Sequence, residues 1–350
     1  MSSRIVALVA LLAAHGALGS AAVESSPTIA VLPVARGSSL PEMSSRVHET
    51  LRARLAERAT VVDAERTRAV LRRMRLRAPE RAGSEALARL AGELGATLLA
   101  GAAVHDAPEG AVPELTLSAR LYDGASGAVV RVAFVGRGGI DRGRWLALGE
   151  LGDHESLIAA AVDELLAELG VPWAPQPPSR RAASSVRAAV VPFTATVREH
   201  GLEVAGAGTE SLRAQLVARG VELAEPGCVQ AGLERQSAAA WGQLAGEARR
   251  AIVDGCAAPL LLTGSVERWE SVGRAGRPEP IVAVALRLVE GASGRILWAG
   301  SLERAGWDRP GAFGLRRIHS RGVLLERITA TLADEMLASG AGTNLTEGRR

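Results

Sequence analysis

The chain contains no lysine; every one of its 41 basic side chains is an arginine. That absence removes P-loop phosphate binding, the kinase strand lysine, Schiff-base chemistry and Ser-x-x-Lys hydrolysis together, because each needs an amine. A codon bias toward Arg, Ala and Gly is sufficient cause. Aromatic residues make up only 3% of the chain and are scattered, so the interleaved stacking side chains of a single-strand nucleic-acid binder are missing. The six histidines (His15, His48, His105, His154, His200, His319) show no His-Glu-x-x-His spacing. Each reads as a surface residue, and neither a metal nor a cofactor is expected.

Only two cysteines occur, Cys228 and Cys256, at the two edges of a helical stretch. In an oxidising compartment they could close a loop worth about 3 kcal/mol, and two antiparallel helices between them would bring the ends together. Two separate buried thiols are the alternative. Charge is nearly balanced, 41 basic against 38 acidic residues, so the basic isoelectric point says little about nucleic acid.

What the chain does contain is a duplication. RLYDGASG at Arg120 repeats as RLVEGASG at Arg287, 167 residues on. Before each turn the apolar residues alternate, Leu115, Leu117, Ala119, Leu121 against Val282, Val284, Leu286, Leu288, which marks strands with one buried face. Arg120 and Arg287 then fall on the outer face at equivalent positions. After each turn, Leu157, Ala161, Leu165, Leu169 match Leu324, Ile328, Leu332, Met336, the four-residue spacing of an apolar helix stripe. Upstream the offset falls to 163 at Gly101/Gly264 and 159 at Pro33/Pro192, as expected when loops lengthen between persistent elements.

The expected fold is α/β (α+β), two copies of a mixed-sheet β-α-β-α-β-β-β-α module. In copy one the strands fall at 28–34, 60–63, 97–104, 114–122 and 129–135, with helical stretches from Pro41, at 65–77 and at 84–94. The modules span 27–170 and 186–338, joined by a Pro/Ser-rich linker at 171–185 and followed by a disordered tail at 339–350. Arg4, the apolar run 5–14 and Ala17-x-Gly19 give residues 1–22 the pattern of a secretory signal peptide, with an uncleaved anchor as the alternative. No cysteine stands at the cleavage point, so lipid attachment is not expected. The mature chain is then expected in the periplasm or outside the cell.

These stretches resemble the envelope modules of the curli-secretion lipoprotein CsgG, the flagellar protein FlgO, the amino-terminal domain of TolB, and the lipoprotein activator of penicillin-binding proteins. The likeness rests on VLPV at Val31 and VVPF at Val190, on LGATLLAGAAV from Leu94 and AAPLLLTGSV from Ala257, and on the LSARLYDGASGAVVRV and VALRLVEGASGRILWAG hairpins. It implies a non-enzymatic scaffold for protein contacts and supplies no catalytic residue. A secretion pore is not expected, because the hairpin tips at 105–113 and 272–280 are short and rich in Gly, Pro and charge.

The rest of the sequence offers little chemistry. Gly206-Ala207-Gly208 lacks the third glycine of a dinucleotide fingerprint and reads as a loop, and the GASG turns lack nucleophile-elbow spacing. One surface feature stands out: Arg66, Arg68, Arg72, Arg73, Arg75 and Arg77 crowd a single segment while Val70, Leu71 and Met74 can face a core. Such a patch suits an anionic partner, or is simply a solvated face. The expected partners are envelope proteins or outer-membrane and peptidoglycan assembly components, with an anionic surface or a second copy of the chain as further candidates. The competing readings are a basic nucleic-acid-binding protein of anticodon-binding-like topology and an uncharacterised envelope enzyme.

Overall fold

The computed structural model describes residues 26–35, 41–108, 112–141, 151–170, 187–197, 200–234, 246–274, 277–308 and 317–340. The segment expected to be a signal peptide, the expected linker at 171–185 and most of the expected tail lie outside them.

The first half runs β1 (Thr28–Val31), α1 (Pro41–Ala56), β2 (Thr60–Val61), α2 (Ala64–Arg73), a 3-10 turn (Pro79–Arg81), α3 (Ser84–Leu94), β3 (Leu98–Asp106), β4 (Glu114–Asp123), β5 (Val129–Gly138) and α4 (His154–Glu168). Its sheet has the order β2-β1-β3-β4-β5, parallel among β2, β1 and β3 and antiparallel beyond. The second half runs β6 (Ala188–Val190), β7 (Thr194–Ala195), α5 (Gly201–Ala218), α6 (Pro226–Glu234), α7 (Gly246–Cys256), β8 (Leu260–Arg274), β9 (Arg277–Glu290), β10 (Ile296–Ala305) and α8 (Arg321–Ala338). Its sheet is β10-β9-β8-β6, with β7 beside β8. The fold is therefore two mixed-sheet α/β modules.

Local chemistry explains the elements. The Asp63 side chain accepts from the Arg66 amide to start α2, and Asp153 accepts from Ser156 to start α4. Both GASG turns close alike: the Gly127 amide donates to the Asp123 carbonyl at 2.7 Å and the Gly294 amide to that of Glu290 at 2.8 Å. Those two glycines have φ of 68° and 78°, which a side chain would strain. Further on, Asp141 Oδ2 accepts from the Gly138 amide and Asp308 Oδ2 from the Ala305 amide, each at 2.8 Å.

Strand register refines the repeat. Gly101 lies opposite Arg120, but Thr263, not Gly264, lies opposite Arg287. The offset between β3 and β8 is thus 162, one less than the glycine match suggests. The two glycines are not equivalent, because a motif letter was matched where the ladder demands a different residue. Offsets of 159 at β1/β6 and 167 at the hairpins agree with the pairing.

Other expectations are corrected. Residues 206–208 lie inside α5 and form no loop; Gly208 is needed because a side chain there would strike the Phe193 ring. Among the described residues the second copy has no counterpart strand of β2, and an Ala188–Leu223 bridge stands in that place. The second hairpin does not turn over 272–280: its ladder runs through that stretch out to Arg274 opposite Arg277. Charged and turn residues did not end the strands there, because antiparallel pairing needs only the backbone.

Each sheet carries helices on two faces. In the first half α1 and α4 cover one face through Val47, Leu51, Leu55, Leu157, Ala161 and Leu165, all buried. On the other face α2 and α3 cover β1 and the adjoining Leu99 of β3 and Tyr122 of β4 through Val70, Leu71, Leu87 and Leu90, which leaves the rest of the β3–β5 part of that face, among the described residues, without helices of its own copy. The helices α5 and α8 pack on the second sheet with one side and on β5 with the other, and Phe134 of β5 belongs to the second half's core. At the closest point a methyl group on Gly136 would overlap the backbone of Gly322. The chain is layered helix, sheet, helix, sheet, helix, with the α5/α8 layer shared and α6/α7 on the far face of the second sheet.

Candidate functional site

The polar residues of β3 and β4 that alternation places on the outer face, His105, Thr116, Ser118 and Arg120, are not in solvent; α5 and α8 cover them. Arg120 Nε donates to Glu210 Oε2 at 2.7 Å, a second guanidinium nitrogen bonds the other oxygen, and Arg213 Nη1 donates to Glu210 Oε1 at 2.6 Å. Burial alone would raise the Glu210 carboxyl, but Arg120 and Arg213 hold it down at about 2. Glu210 in turn raises Arg120 against its own burial. This buried Arg–Glu–Arg arrangement is satisfied by charge-assisted hydrogen bonds. Arg213 also caps the Val190 carbonyl at 2.9 Å.

A second cluster sits at the start of α8. Arg321 lies 3.0 Å from Asp106, beside Glu114, and over the Trp269 ring at 5.5 Å. Trp269 Nε1 donates to Asp106 at 3.2 Å. Burial pushes Glu114 up to about 7; Arg321 opposes this and Asp106 adds to it. Asp141 accepts from the His319 amide at 2.5 Å, and burial raises its carboxyl too. His105, read from sequence as a surface residue, is buried, its Nε2 2.8 Å from Ser118 Oγ, and burial lowers it to about 4. The sequence could not mark Arg120 or His105, because alternation assigns the faces of their strands to solvent.

Strongly shifted carboxyls and histidines often mark active sites. Here Glu210, Glu114, Asp106 and His105 are enclosed between the two halves, where they join them. Among the described residues no three His, Cys, Asp or Glu side chains are grouped to hold a metal.

The arginine segment lies on α2 and just beyond it. Arg66, Arg68, Arg72, Arg73, Arg75 and Arg77 are all exposed, while Val70 and Leu71 are buried and Met74 is half-buried. Arg68 pairs with Glu65, and Arg73 with Glu93 at 2.5 Å. Arg75 holds a left-handed conformation, φ 57°, where α2 ends. In the second half Cys228 and Cys256 are joined as a disulfide with Cα atoms 5.6 Å apart, tying α6 to α7. Among the described residues no helix is long and apolar enough to cross a membrane.

No family model matches the chain, and no curated protein matches it. Solved structures do. The PelC dodecamer from Paraburkholderia phytofirmans is 19% identical, with a TM-score of 0.30, covering 45% of this chain and 91% of its own. Lipoprotein GNA1162 from Neisseria meningitidis is 16% identical, with a TM-score of 0.31, over 43% of this chain and 99% of its own. The LpoB C-terminal domain from Salmonella enterica is 16% identical, with a TM-score of 0.25, over 35% of this chain and 83% of its own. At these scores the chain is similar to them in part of its fold only.

Proposed function

We propose that this chain is an exported, non-enzymatic scaffold of the bacterial envelope, with residues 1–22 removed as a signal peptide and modules at 27–170 and 186–338 acting as one unit. One observation carries the reading: Glu210, Glu114, Asp106 and His105 are enclosed in the joint between the modules, while the six arginines on α2 and just beyond it stay open. A rigid body with buried charges at its seam and a basic outer face is built for contact, not for turnover. Its partner is an envelope protein or wall- or outer-membrane-assembly component presenting acidic groups, and the likeness to CsgG, FlgO and TolB modules belongs to the same reading. A second copy of the chain is the other candidate.

Cell fractionation with amino-terminal sequencing, combined with photo-crosslinking from Ala69 on α2, tests this. A processed envelope protein whose cross-link disappears when Arg72 and Arg73 become Glu is expected. An unprocessed cytoplasmic chain, or a cross-link indifferent to those charges, overturns it.

A further inference from the structure

A groove of about 490 Å³ opens where the interior strand β1 ends, between α1 and the start of α2. Its walls include Ser44, His48, Glu49, Arg52, Thr67 and Arg68. Strand β1 lies between β2 and β3; its helix α1 covers one face of the sheet, and α2 and α3, which follow β2, cover the other. The mouth of the groove is therefore at a topological switch point, the place where open α/β sheets bind ligands.

Among the described residues two polar atoms in this groove have no hydrogen-bond partner of normal geometry, Ser44 Oγ and His48 Nδ1, although the Leu32 backbone near the imidazole acts to raise its pKa. Ser44 is only 2% exposed. An unpaired buried polar atom costs free energy and asks for a reason. The duplicated half shows that the fold itself does not require them. Val47, Leu51 and Leu55 of α1 correspond to Gly208, Leu212 and Leu216 of α5, which places Ser44 at Ala205, His48 at Thr209 and Arg52 at Arg213. In that copy every counterpart is settled: alanine has no polar atom, Thr209 Oγ1 accepts from the Phe193 amide at 2.9 Å, and Arg213 is held by Glu210 and the Val190 carbonyl.

The charge in the groove is of one predominant sign. Arg52 commits one nitrogen to the Val62 carbonyl at 3.1 Å and Arg68 one to exposed Glu65, leaving further N–H groups on each. Burial first, then Arg52 and Arg68, lower the His48 imidazole, so it stays neutral beside two cations. Glu49, exposed, is the acid among the groove's lining residues.

We infer that this groove binds a small ligand through an oxyanion, a phosphate or carboxylate group, held by Arg52 and Arg68 with Ser44 and His48 completing its hydrogen bonds. Guanidinium forks match both groups in geometry. The site belongs to the first copy alone and goes beyond a scaffold role.

The mature chain, labelled with ¹⁵N, is titrated at fixed ionic strength with inorganic phosphate and separately with acetate, reading the His48 ring nitrogens, assigned with H48Q. A saturable shift with at least one probe is expected, and which probe acts identifies the group. Arg68→Gln weakens it roughly tenfold, whereas Arg72→Gln, the same charge loss outside the groove, leaves it unchanged. Ser44→Ala weakens binding yet raises the melting temperature of the free chain, because an unpaired hydroxyl is removed. No saturable shift with either probe, or equal weakening by R72Q and R68Q, overturns the site.

Discussion

Arg120 and Arg287 hold the same place in the two ladders, yet one is enclosed and the other is in solvent. Arg120 stands opposite Gly101 and Val132 and is clamped to Glu210; Arg287 stands opposite Thr263 and Ala299, exposed. Replacing Arg120 by Met leaves Glu210 with one buried cation fewer, and urea unfolding is expected to show a loss of about 3 kcal/mol. Arg287→Met should stay within about 0.5 kcal/mol. Equal effects would show that the seam between the halves does not form.

The Glu114 contribution to the joint is also expected to be lost as pH rises from about 4.5 to 7. The folded Glu114 titrates at about 7, above its ordinary 4.5, so its contribution is complete below 4.5 and is lost as pH rises through 7. His105 acts in the opposite direction: its folded value of about 4 lies below 6.5, so stability falls as pH drops from 6.5 toward 4. Melting temperatures of wild type and Glu114→Gln measured from about pH 4.5 to 8 isolate the carboxyl side. Wild type should lose stability relative to Glu114→Gln between about pH 4.5 and 7, and the difference should level off above that.

The disulfide between Cys228 and Cys256 closes a separation of 28 residues. Thiol titration of exported protein should find no free thiol in either native or denatured chain. Reduction, or Cys256→Ser, should lower stability by about 3 kcal/mol.

The arginine face should be separable from the fold. Reversing Arg72, Arg73 and Arg75 to Glu removes no buried contact, so the thermal midpoint should hardly move, while affinity for an anionic partner should fall most at low salt. Arg75→Gly relieves a left-handed residue and should stabilise the chain by up to about 1 kcal/mol in the same melting assay.

The sequence by itself determined the repeat, the strand and helix order, and the inner faces. Leu115, Leu117, Ala119 and Leu121 alternate, and Leu324, Ile328, Leu332 and Met336 recur every four residues; these periods follow from backbone geometry alone, and all eight residues are buried. Boundaries were less legible: 65–77 reads as one helix, but Arg75 turns left-handed and α2 stops at Arg73. Only tertiary structure decided where the polar faces go. Thr116, Ser118 and Arg120 read as solvent-facing in any single strand. Their burial depends on Glu210, which clamps Arg120, and on Gly322, which lies against Thr116, 90 or more residues away on helices that the sequence assigns only to their own sheet. The α1 groove was hidden for the same reason: Ser44 and His48 look ordinary along the chain, and their unpaired atoms appear only once the elements around them are in place.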